Sequence, residues 1–375
     1  MVVKTGLLQE VLEIVGTVTP VKDGVIKIQV LPGDVDRMMI QGGDGSAAAT
    51  KVITVEGVTE QAEVYLGYPE IANCVSELSK IGEESLELLL GGTLTIKTST
   101  SRVEFALREE SSFKSVVPPK DEAVDAEVDA YDFRKALATS QKHSDPKGGD
   151  TISGSVYLRI TADGMEASGT DGVSSTIISN GKVTSISAEE VEISVSTARA
   201  KAILPALPAT GTVRLKVYQN VILVSFGEVM LFIPQAKQTW TYRERLTKMM
   251  EQVVATGSTI EVDRKSFINA LSLVSTNIGT DKDSFRCSLQ WGEDVLKVSN
   301  GAKTASVDLE AKMEDGASGD GALFNIIQLK QMLSSLSEEN VNISIMLLEK
   351  NGVKSAIAHF EEGNEQDVLM GISCK

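Results

Sequence analysis

Apolar residues in segment 262–279 recur at intervals of four, three and four positions. These positions are Phe267, Leu271, Val274 and Ile278. Side chains with this spacing lie on one face of an α-helix, so the segment is predicted to form an amphipathic helix. Asp263 stands where an N-cap residue is expected, and Gly279 is placed to end the helix.

Strand-like runs follow this helix, then a second helical stripe over 325–337, then further strand-like runs. Strands are predicted where apolar residues alternate or run continuously between turn residues. A Gly- and Asp-rich run, DGASGDGA, is predicted to be a loop before the second helix. The predicted strands are SFRCSLQW, VLKVSN, ASVDLEAKM, VNISIMLLE, SAIAHFEE and DVLMGIS.

The order helix, strands, helix, strands occurs three times, with repeats that begin near residues 4, 129 and 262. A repeat of this size determines the fold, because each copy forms one similar unit. The sequence therefore predicts an α+β protein of three repeated domains, each with two helices packed on antiparallel sheets. The predicted domains are 1–121, 122–247 and 248–375, and the predicted helices are 4–19, 68–81, 129–143, 196–207, 262–279 and 325–337.

The composition is typical of a chain with real hydrophobic cores. Hydrophobic residues make up 42% of the 375 positions, yet no run reaches the roughly 18 apolar residues of a membrane span. The first residues lack a basic segment followed by a cleavage site. We therefore expect a soluble cytoplasmic protein with no membrane partner. Cys74, Cys287 and Cys374 have no paired spacing, so neither disulfides nor zinc are indicated.

The chain carries 36 basic and 52 acidic residues, a formal net charge of −16. This balance argues against a nucleic-acid partner, because phosphate binding is driven by basic surface. The predicted helices differ from the chain as a whole, because the six of them together hold ten of the basic residues and only seven of the acidic ones. Two interpretations stay open: an ordinary solvated helix face, or a shared helical face that contacts phosphates.

Candidate catalytic chemistry is sparse. The two histidines, His143 and His359, occur in unrelated contexts. The run QGGDGS lacks the Lys-Ser/Thr pair of a phosphate-binding loop, and DGASGDGA has too few regularly spaced carboxylates for a calcium loop. No G-x-S-x-G nucleophile elbow occurs. The sequence therefore predicts a protein that is not an enzyme and has no metal or cofactor.

The triple repeat and several local sequences are similar to the bacterial DNA polymerase III β sliding clamps. The similarity is most specific in the last third, at DSFRCSLQW, LFNIIQLKQMLSSLSEENVNISIML and DVLMGIS. SGTDG at 168–172, WTYRERL at 240–246 and the segment 101–116 add to it. In the first third, the strand that usually precedes the first helix is predicted to be absent. This divergence is compatible with a phage-encoded member of the family.

The resemblance implies a processivity factor: a ring of DNA-clamp domains, formed by a head-to-tail homodimer, that encircles double-stranded DNA in the nucleoid. Helices would form its inner wall and contact phosphates without reading bases. The candidate lining residues are Lys22, Lys80, Arg134, Lys135, Lys142, Lys147, Arg199, Lys201, Arg264 and Lys265, with Lys330 as a further basic helix position.

The resemblance also implies a pocket between the second and third domains, where DNA polymerase, clamp loader and repair proteins dock a short linear motif. Apolar walls with a few polar groups suit aliphatic or aromatic anchors. Several positions depart from the family: segment 173–175 lacks a basic pair and a leucine, Arg245 replaces an apolar residue, and Gly371 replaces a proline. Alternatively, 368–372 is an edge strand packed in its own domain. The pocket residues are Ile152, Thr170, Gly172, Val173, Ser174, Ser175, Trp240, Arg245, Val368, Met370 and Ile372.

The subunit interface implied by the resemblance pairs the last strands of the first domain with the first helix and strand of the third. Two edge strands that join there would remove exposed edges, although the same positions would serve equally as core. A second function class stays open, namely a ring-shaped protein-interaction scaffold that does not load on DNA. The candidate interface residues are Arg102, Val103, Phe105 and Ile278.

Overall fold

The computed structural model describes residues 1–117, 119–149, 151–276, 285–314, 316–350, 353–363 and 365–371. Ile278, Ile372 and Cys374, named above from the sequence, lie outside these ranges, as does the predicted helix end at Gly279. The described residues form helices and antiparallel sheets, so the predicted α+β class is confirmed.

Six of the helices in the described residues match those predicted from apolar spacing, with shorter ends. A further helix, over Arg243–Thr256, is a correction, because the sequence around WTYRERL indicated only a connecting segment. The helices are α1 (Thr5–Gly16), α2 (Tyr68–Lys80), α3 (Ala130–Lys142), α4 (Thr197–Ile203), α5 (Arg243–Thr256), α6 (Arg264–Ser275) and α7 (Ile326–Ser335). Short 3-10 turns occur at Glu110–Ser112 and Leu204–Ala206.

The strands are short and pair antiparallel wherever their register is defined. In the first half of the chain they are β1 (Val2–Lys4), β2 (Val25–Leu31), β3 (Arg37–Gly43), β4 (Ala48–Thr54), β5 (Ala62–Gly67), β6 (Ser85–Leu90), β7 (Thr93–Lys97), β8 (Arg102–Ala106), β9 (Val124–Asp129), β10 (Ser155–Thr161), β11 (Met165–Thr170) and β12 (Ser174–Gly181). In the second half they are β13 (Val183–Ile186), β14 (Glu190–Ser196), β15 (Thr212–Val217), β16 (Val221–Phe226), β17 (Val229–Pro234), β18 (Ser258–Asp263), β19 (Arg286–Gly292), β20 (Val295–Asn300), β21 (Ser306–Met313), β22 (Gly319–Asn325), β23 (Asn340–Lys350), β24 (Val353–Glu362) and β25 (Glu365–Met370).

Two strand predictions are wrong. Strand β1 precedes α1 and pairs with β6, so the strand predicted to be absent is present. Strand β22 occupies the end of the run predicted as a loop, because its backbone pairs with β19 and this pairing needs no apolar side chain at the glycines. Strands β2, β5, β9, β13, β14 and β18 were not predicted either.

One compact unit, unit 1, consists of Met1–Lys135, Ile160–Asp163 and Lys182–Lys237. It contains the sheet β1-β6-β7-β8 and a larger sheet in the order β13-β9-β15-β16-β17-β4-β3-β2-β5. Helix α1 packs against α2, β3 and β4. Leu8, Val11, Leu12 and Val15 form the buried face of α1, which is the three-and-four spacing that burial against a sheet requires.

The larger sheet of unit 1 is continuous across the boundary between the first and second predicted domains. Its β17–β4 pairing runs from Val229 opposite Lys51 to Phe232 opposite Ala48. Main-chain hydrogen bonds therefore join these two parts of the chain. The three-domain boundaries themselves stay a prediction.

The other compact unit, unit 2, consists of Ala136–Arg159, Gly164–Gly181 and Gln238–Lys375. Its strands follow the order β10-β11-β12-β25-β24-β23-β18-β21-β20-β19-β22. Helices α6 and α7 pack together over a core that contains the fully buried Phe267, Phe324 and Phe360. The predicted stripe of α6 is confirmed within the described residues, because Phe267, Leu271 and Val274 are all buried.

The starts of α6 and α7 are fixed by side-chain caps. The carboxylate of Asp263 accepts a hydrogen bond of 2.7 Å from the Ser266 N–H, which confirms the predicted N-cap. Strand β18 ends at the same residue, so the helix begins at Arg264 rather than at 262. The Asn325 side chain accepts from the Ile327 N–H at 2.9 Å and caps α7 in the same way.

Candidate nucleic-acid and partner-peptide surfaces

Most of the basic residues predicted to line a DNA channel project into solvent. Lys80 is among the exposed ones, but its ammonium lies 2.6 Å from the Glu77 carboxylate on the same helix. Lys135 is half-buried and has interaction partners of its own. The remaining exposed candidates are Lys22, Arg134, Lys142, Lys147, Lys201 and Lys265.

Arg199, on α4, is held within unit 1. Its guanidinium pairs with the Asp44 carboxylate and donates to Ser46 Oγ at 3.0 Å, in the turn between β3 and β4. Burial alone would raise the pKa of Asp44, but hydrogen bonds from Arg199, Ala47 and Ser46 outweigh it and lower that pKa well below its usual range. Arg199 therefore fixes α4 to the sheet, and its charge is already neutralised.

Arg264, the first residue of α6, contacts the carboxyl end of α7. Its Nε donates to the Glu338 carbonyl oxygen at 2.6 Å, and its two terminal nitrogens reach the Leu333 and Ser337 carbonyl oxygens at 3.5 Å. These carbonyls lie at the negative end of the α7 dipole. The structure thus gives Arg264 a role in joining two helices.

Charge is divided unevenly among the six helices that the sequence predicted. Helices α3, α4, α6 and α7 together carry eight basic residues and one acidic residue, Asp132. Helices α1 and α2 carry one basic residue, Lys80, and four acidic ones, Glu10, Glu13, Glu70 and Glu77. The positive charge of these six helices is therefore concentrated in α3, α4, α6 and α7.

The sequence TDG forms a tight turn between β11 and β12. Asp171 Oδ1 accepts hydrogen bonds from the Val173 and Ser174 N–H groups at 2.8 and 2.6 Å. Thr170 Oγ1 donates to the Ser174 carbonyl oxygen at 3.0 Å and accepts from the Gly172 N–H at 3.1 Å. Gly172 has a φ of +89°, which favours glycine. The turn leaves Gly172 and Val173 exposed at one end of β12.

Strand β25 carries the chain-end positions of the predicted pocket. It pairs with β12 on one side and β24 on the other, so the alternative of an edge strand is wrong. The Gly371 N–H donates to the Ala356 carbonyl oxygen at 2.7 Å, and a Cβ there would lie 2.8 Å from that oxygen. A proline at this position would lose this hydrogen bond.

The apolar pocket positions lie inside a packed cluster. Val368 is 1% exposed and Trp240 6% exposed, with Met370 partly buried beside them. The residues that cover them come from α5, namely Leu246, Met250 and Val253. The structure therefore brings the predicted apolar anchors together but fills the space over them with the chain's own helix. The other side chains of this cluster are Tyr157, Ile177, Met346 and Ile357.

Aromatic and charged groups fix the start of α5. Trp240 stacks on Tyr157 with ring centroids 6.3 Å apart, and Tyr242 contacts both rings edge-on. Arg243 lies over the Trp240 ring at 5.6 Å and donates to Glu166 Oε2 at 2.6 Å. Arg245, which the sequence predicted as a pocket residue, is exposed.

Sequence reasoning missed Tyr242 and Arg243 as parts of this site. The Tyr242 hydroxyl lies 3.0 Å from Ser168 Oγ, and burial raises the pKa of Tyr242 above its usual value. The only sequence signal for α5 was the spacing of Leu246, Met250 and Val253 at four and three residues. Of the other predicted pocket residues, Thr170 and Ser174 are buried, whereas Ile152 is exposed.

The predicted subunit interface falls on the end of a sheet. Strand β8 stands last in the order β1-β6-β7-β8, so its outer edge is unpaired within the described residues. Val103 and Phe105 are half-buried on this strand, and Arg102 Nε donates to Glu104 at 3.0 Å.

No group of three or more His, Cys, Asp or Glu side chains in the described part of the chain could hold a metal ion. No helix in the described ranges is long and apolar enough to cross a membrane.

Comparison with known proteins yields matches of structure only. No family model and no curated protein matches the chain. The sliding clamp (DNA polymerase III subunit beta) from Pseudomonas aeruginosa, bound to griselimycin, superposes with a TM-score of 0.83 at 16% identity, covering 99% of this chain and 98% of that one. The DNA polymerase III beta subunit from Thermotoga maritima gives 0.82 at 15% identity, over 100% and 99%.

The Helicobacter pylori beta clamp bound to a DNA ligase peptide gives a TM-score of 0.79 at 13% identity, over 99% of each chain. These similarities extend over the whole chain, so it has the fold of bacterial sliding clamps. The resemblance that the sequence motifs indicated is confirmed at the level of the fold.

Proposed function

We propose that this protein is a DNA sliding clamp, a processivity factor that encircles duplex DNA as a ring-shaped homodimer and has no enzymatic activity. The observation that carries the proposal is the similarity to solved clamps over 99% of the chain at TM-scores near 0.8. A ring holds DNA by topology, so it needs only weak and interchangeable phosphate contacts.

Only some of the candidate basic residues are assigned to these contacts. Arg199 and Arg264 have their guanidinium groups bound to protein acceptors, so they support the helices instead. The contacts fall to exposed side chains on or next to the basic helices, mainly Arg134, Lys201 and Lys265. Lys142 at the end of α3, Lys147 in the loop after it and Lys22 in the turn after α1 are also exposed and complete the proposed set.

The homodimer would use the unpaired edge of β8. An open edge strand with half-buried Val103 and Phe105 offers both main-chain hydrogen bonds and apolar contact. The partner surface would be the end of α6; Ile278, also predicted for this interface, lies outside the described residues. Such a head-to-tail contact buries the edge that a monomer would expose.

Partners would include DNA polymerase, clamp loader and repair proteins that carry a short linear motif. The Helicobacter pylori clamp of the same fold was solved with a DNA ligase peptide, which supports this class of partner. The corresponding surface of this chain would lie around Trp240, Val368 and Met370.

Topological retention tests the proposal. The protein is incubated with nicked circular plasmid under conditions that allow subunits to exchange, and the complex is isolated by gel filtration. Cutting the plasmid once should release the protein, because a ring slides off a free end, whereas mock digestion should not. Retention that survives the cut would indicate ordinary binding and contradict the proposal.

The absence of any retention on the intact circle would favour the second candidate, a ring-shaped scaffold that binds only protein. The net charge of −16 and the acidic α1 and α2 are the observations in its favour.

A further inference from the structure

The segment Arg243–Thr256 covers an apolar strip of unit 2 with only one face. Of its fourteen residues, Leu246, Met250 and Val253 are buried. They follow the four-and-three spacing by which an amphipathic helix docks in a groove. The opposite face is exposed and mostly polar, with residues such as Lys248, Glu251 and Gln252, so α5 packs on the sheet without being enclosed by it.

The strip beneath α5 has the composition of an adaptable binding surface. Helix α5 packs on β23 and β24, which contribute Met346 and Ile357, and the same buried cluster extends to Val368 of β25 and Ile177 of β12. With Met249, Met250 and Met370, four of the eleven methionines of the chain meet at this contact. Flexible, polarisable methionine side chains suit surfaces that accept more than one partner.

One buried polar group beside the start of α5 lacks a hydrogen-bond partner among the described residues. Trp240 is 6% exposed, yet its indole Nε1 has no hydrogen-bond acceptor among the described residues. A buried donor without a partner is costly, and an occupant that brings a backbone carbonyl would satisfy it. Residues 235–242 before α5 form neither helix nor strand, so the helix is tethered there by irregular chain.

We propose that the strip beneath α5 is a docking site for an amphipathic helix of a partner protein, and that α5 occupies it in the free chain as an internal competitor. The partner helix would present apolar residues at i, i+4 and i+7 and displace α5. This inference rests on the proposed function for the identity of such partners as clamp-binding proteins. The groove and its competitor are defined by the packing of Leu246, Met250 and Val253 in unit 2.

A peptide added in trans tests the proposal. The probe is a fluorescent synthetic peptide of residues 241–256 of this chain, and its control carries serine at the positions of Leu246, Met250 and Val253. The first protein variant is Leu246→Ser/Met250→Ser/Val253→Ser, which frees the strip. The matched control variant, Lys248→Ser/Glu251→Ser/Gln252→Ser, changes only exposed positions of the same helix.

We expect the stripe variant to bind the probe at least about tenfold more tightly than the wild type or the control variant, and to ignore the serine peptide. Equal affinity of all three proteins for the probe would overturn the proposal. So would the absence of binding to a stripe variant whose thermal melt remains cooperative.

Hydrogen exchange tests the proposal on the wild-type protein, so no variant has to fold. Amides of α5 should exchange at least about tenfold faster than those of β24 and β25, because displacement of α5 needs no opening of the sheet. Exchange of α5 together with β24 would show that it is integral to the core and would overturn the proposal.

A second variant displaces α5 without touching its stripe. A Cβ at Gly257 would lie 2.6 Å from the Val253 carbonyl oxygen and 2.9 Å from that of Ile345. Gly257→Ala should therefore push the end of α5 from β23 and strengthen probe binding, and unchanged binding would count against the proposal.

The plasmid experiment separates this proposal from the clamp function. Loss of plasmid retention together with intact probe binding would refute the clamp function but not the docking site.

Discussion

His143, just after α3, and Asp367, in β25, are both buried in unit 2, with Nε2 and Oδ1 3.8 Å apart. Burial lowers the pKa of His143 to about 4, with Lys142 adding to the effect and Asp171 opposing it. Burial also raises the pKa of Asp367 to about 7, with Glu362 adding to it and Thr176 and Lys142 opposing it. Each side chain is therefore driven towards its neutral form.

Replacing one residue of this pair should reveal the titration of the other. In Asp367→Asn, folded His143 binds fewer protons than the unfolded chain between about pH 4 and 6.5, so stability should rise with pH across that window. In His143→Gln, folded Asp367 binds more protons between about pH 3.8 and 7, so stability should fall as pH rises. Urea unfolding at several pH values measures both slopes.

The wild-type protein is the control for that experiment, because its two opposing slopes overlap and largely cancel. Slopes of the same sign in the two variants would contradict the assignment of neutral forms to this pair.

Among the elements, α6 depends on one capping residue. Asp263→Ala should destabilise the protein by about 1 kcal/mol, because the Ser266 N–H loses its acceptor, and Asp263→Asn should cost less. The hydrogen bond from Ser266 lowers the pKa of Asp263, so its contribution should be lost as pH falls through the folded-state pKa. Chemical denaturation at neutral and acidic pH measures both effects.

Asn269→Ala, at an exposed position of the same helix, serves as the control for the cap. An Asp263→Ala protein no less stable than this control would show that the observed bond does not stabilise α6.

Elements with a wide apolar stripe or a clear apolar run could be predicted from the sequence, whereas β22, which is held by main-chain pairing, and α5 could not. The stripe of Phe267, Leu271 and Val274 was sufficient to find α6. Helix α5 was missed because its narrow stripe is interrupted by charged residues, and its anchors, Glu166 for Arg243 and Ser168 for Tyr242, lie far away in sequence. The pocket positions stay a prediction, and no local sequence pattern indicates that α5 packs in the same buried cluster as Trp240 and Val368.

At the scale of the whole molecule, the candidate basic residues include some that are bound to protein acceptors and others that are exposed, and the proposed clamp function assigns the exposed ones to DNA. The variant Arg134→Ala/Lys142→Ala/Lys201→Ala/Lys265→Ala should bind DNA more weakly. The slope of log K against log salt concentration should become less steep by up to about 0.9 for each phosphate contact that is lost. Thermal stability should be nearly unchanged, because all four side chains are exposed. Binding to short duplexes at several salt concentrations measures the slope.

Arg199→Ala/Arg264→Ala is the matched variant, since it removes basic side chains that are bound to Asp44 and to the end of α7. It should lower the melting temperature and leave the salt dependence closer to that of the wild type. The assignment would be contradicted if this variant lost more salt dependence of DNA binding than the four-residue variant while keeping its melting temperature.

The pairing of β17 with β4 has a practical consequence for anyone who dissects this protein. A fragment that stops near residue 121 would leave β4 without β17 on one side, with unpaired amide and carbonyl groups along the edge at Ala48–Lys51. Exposed strand edges recruit other chains, so such a truncation should aggregate. Soluble pieces would have to be cut so that both strands stay on one polypeptide.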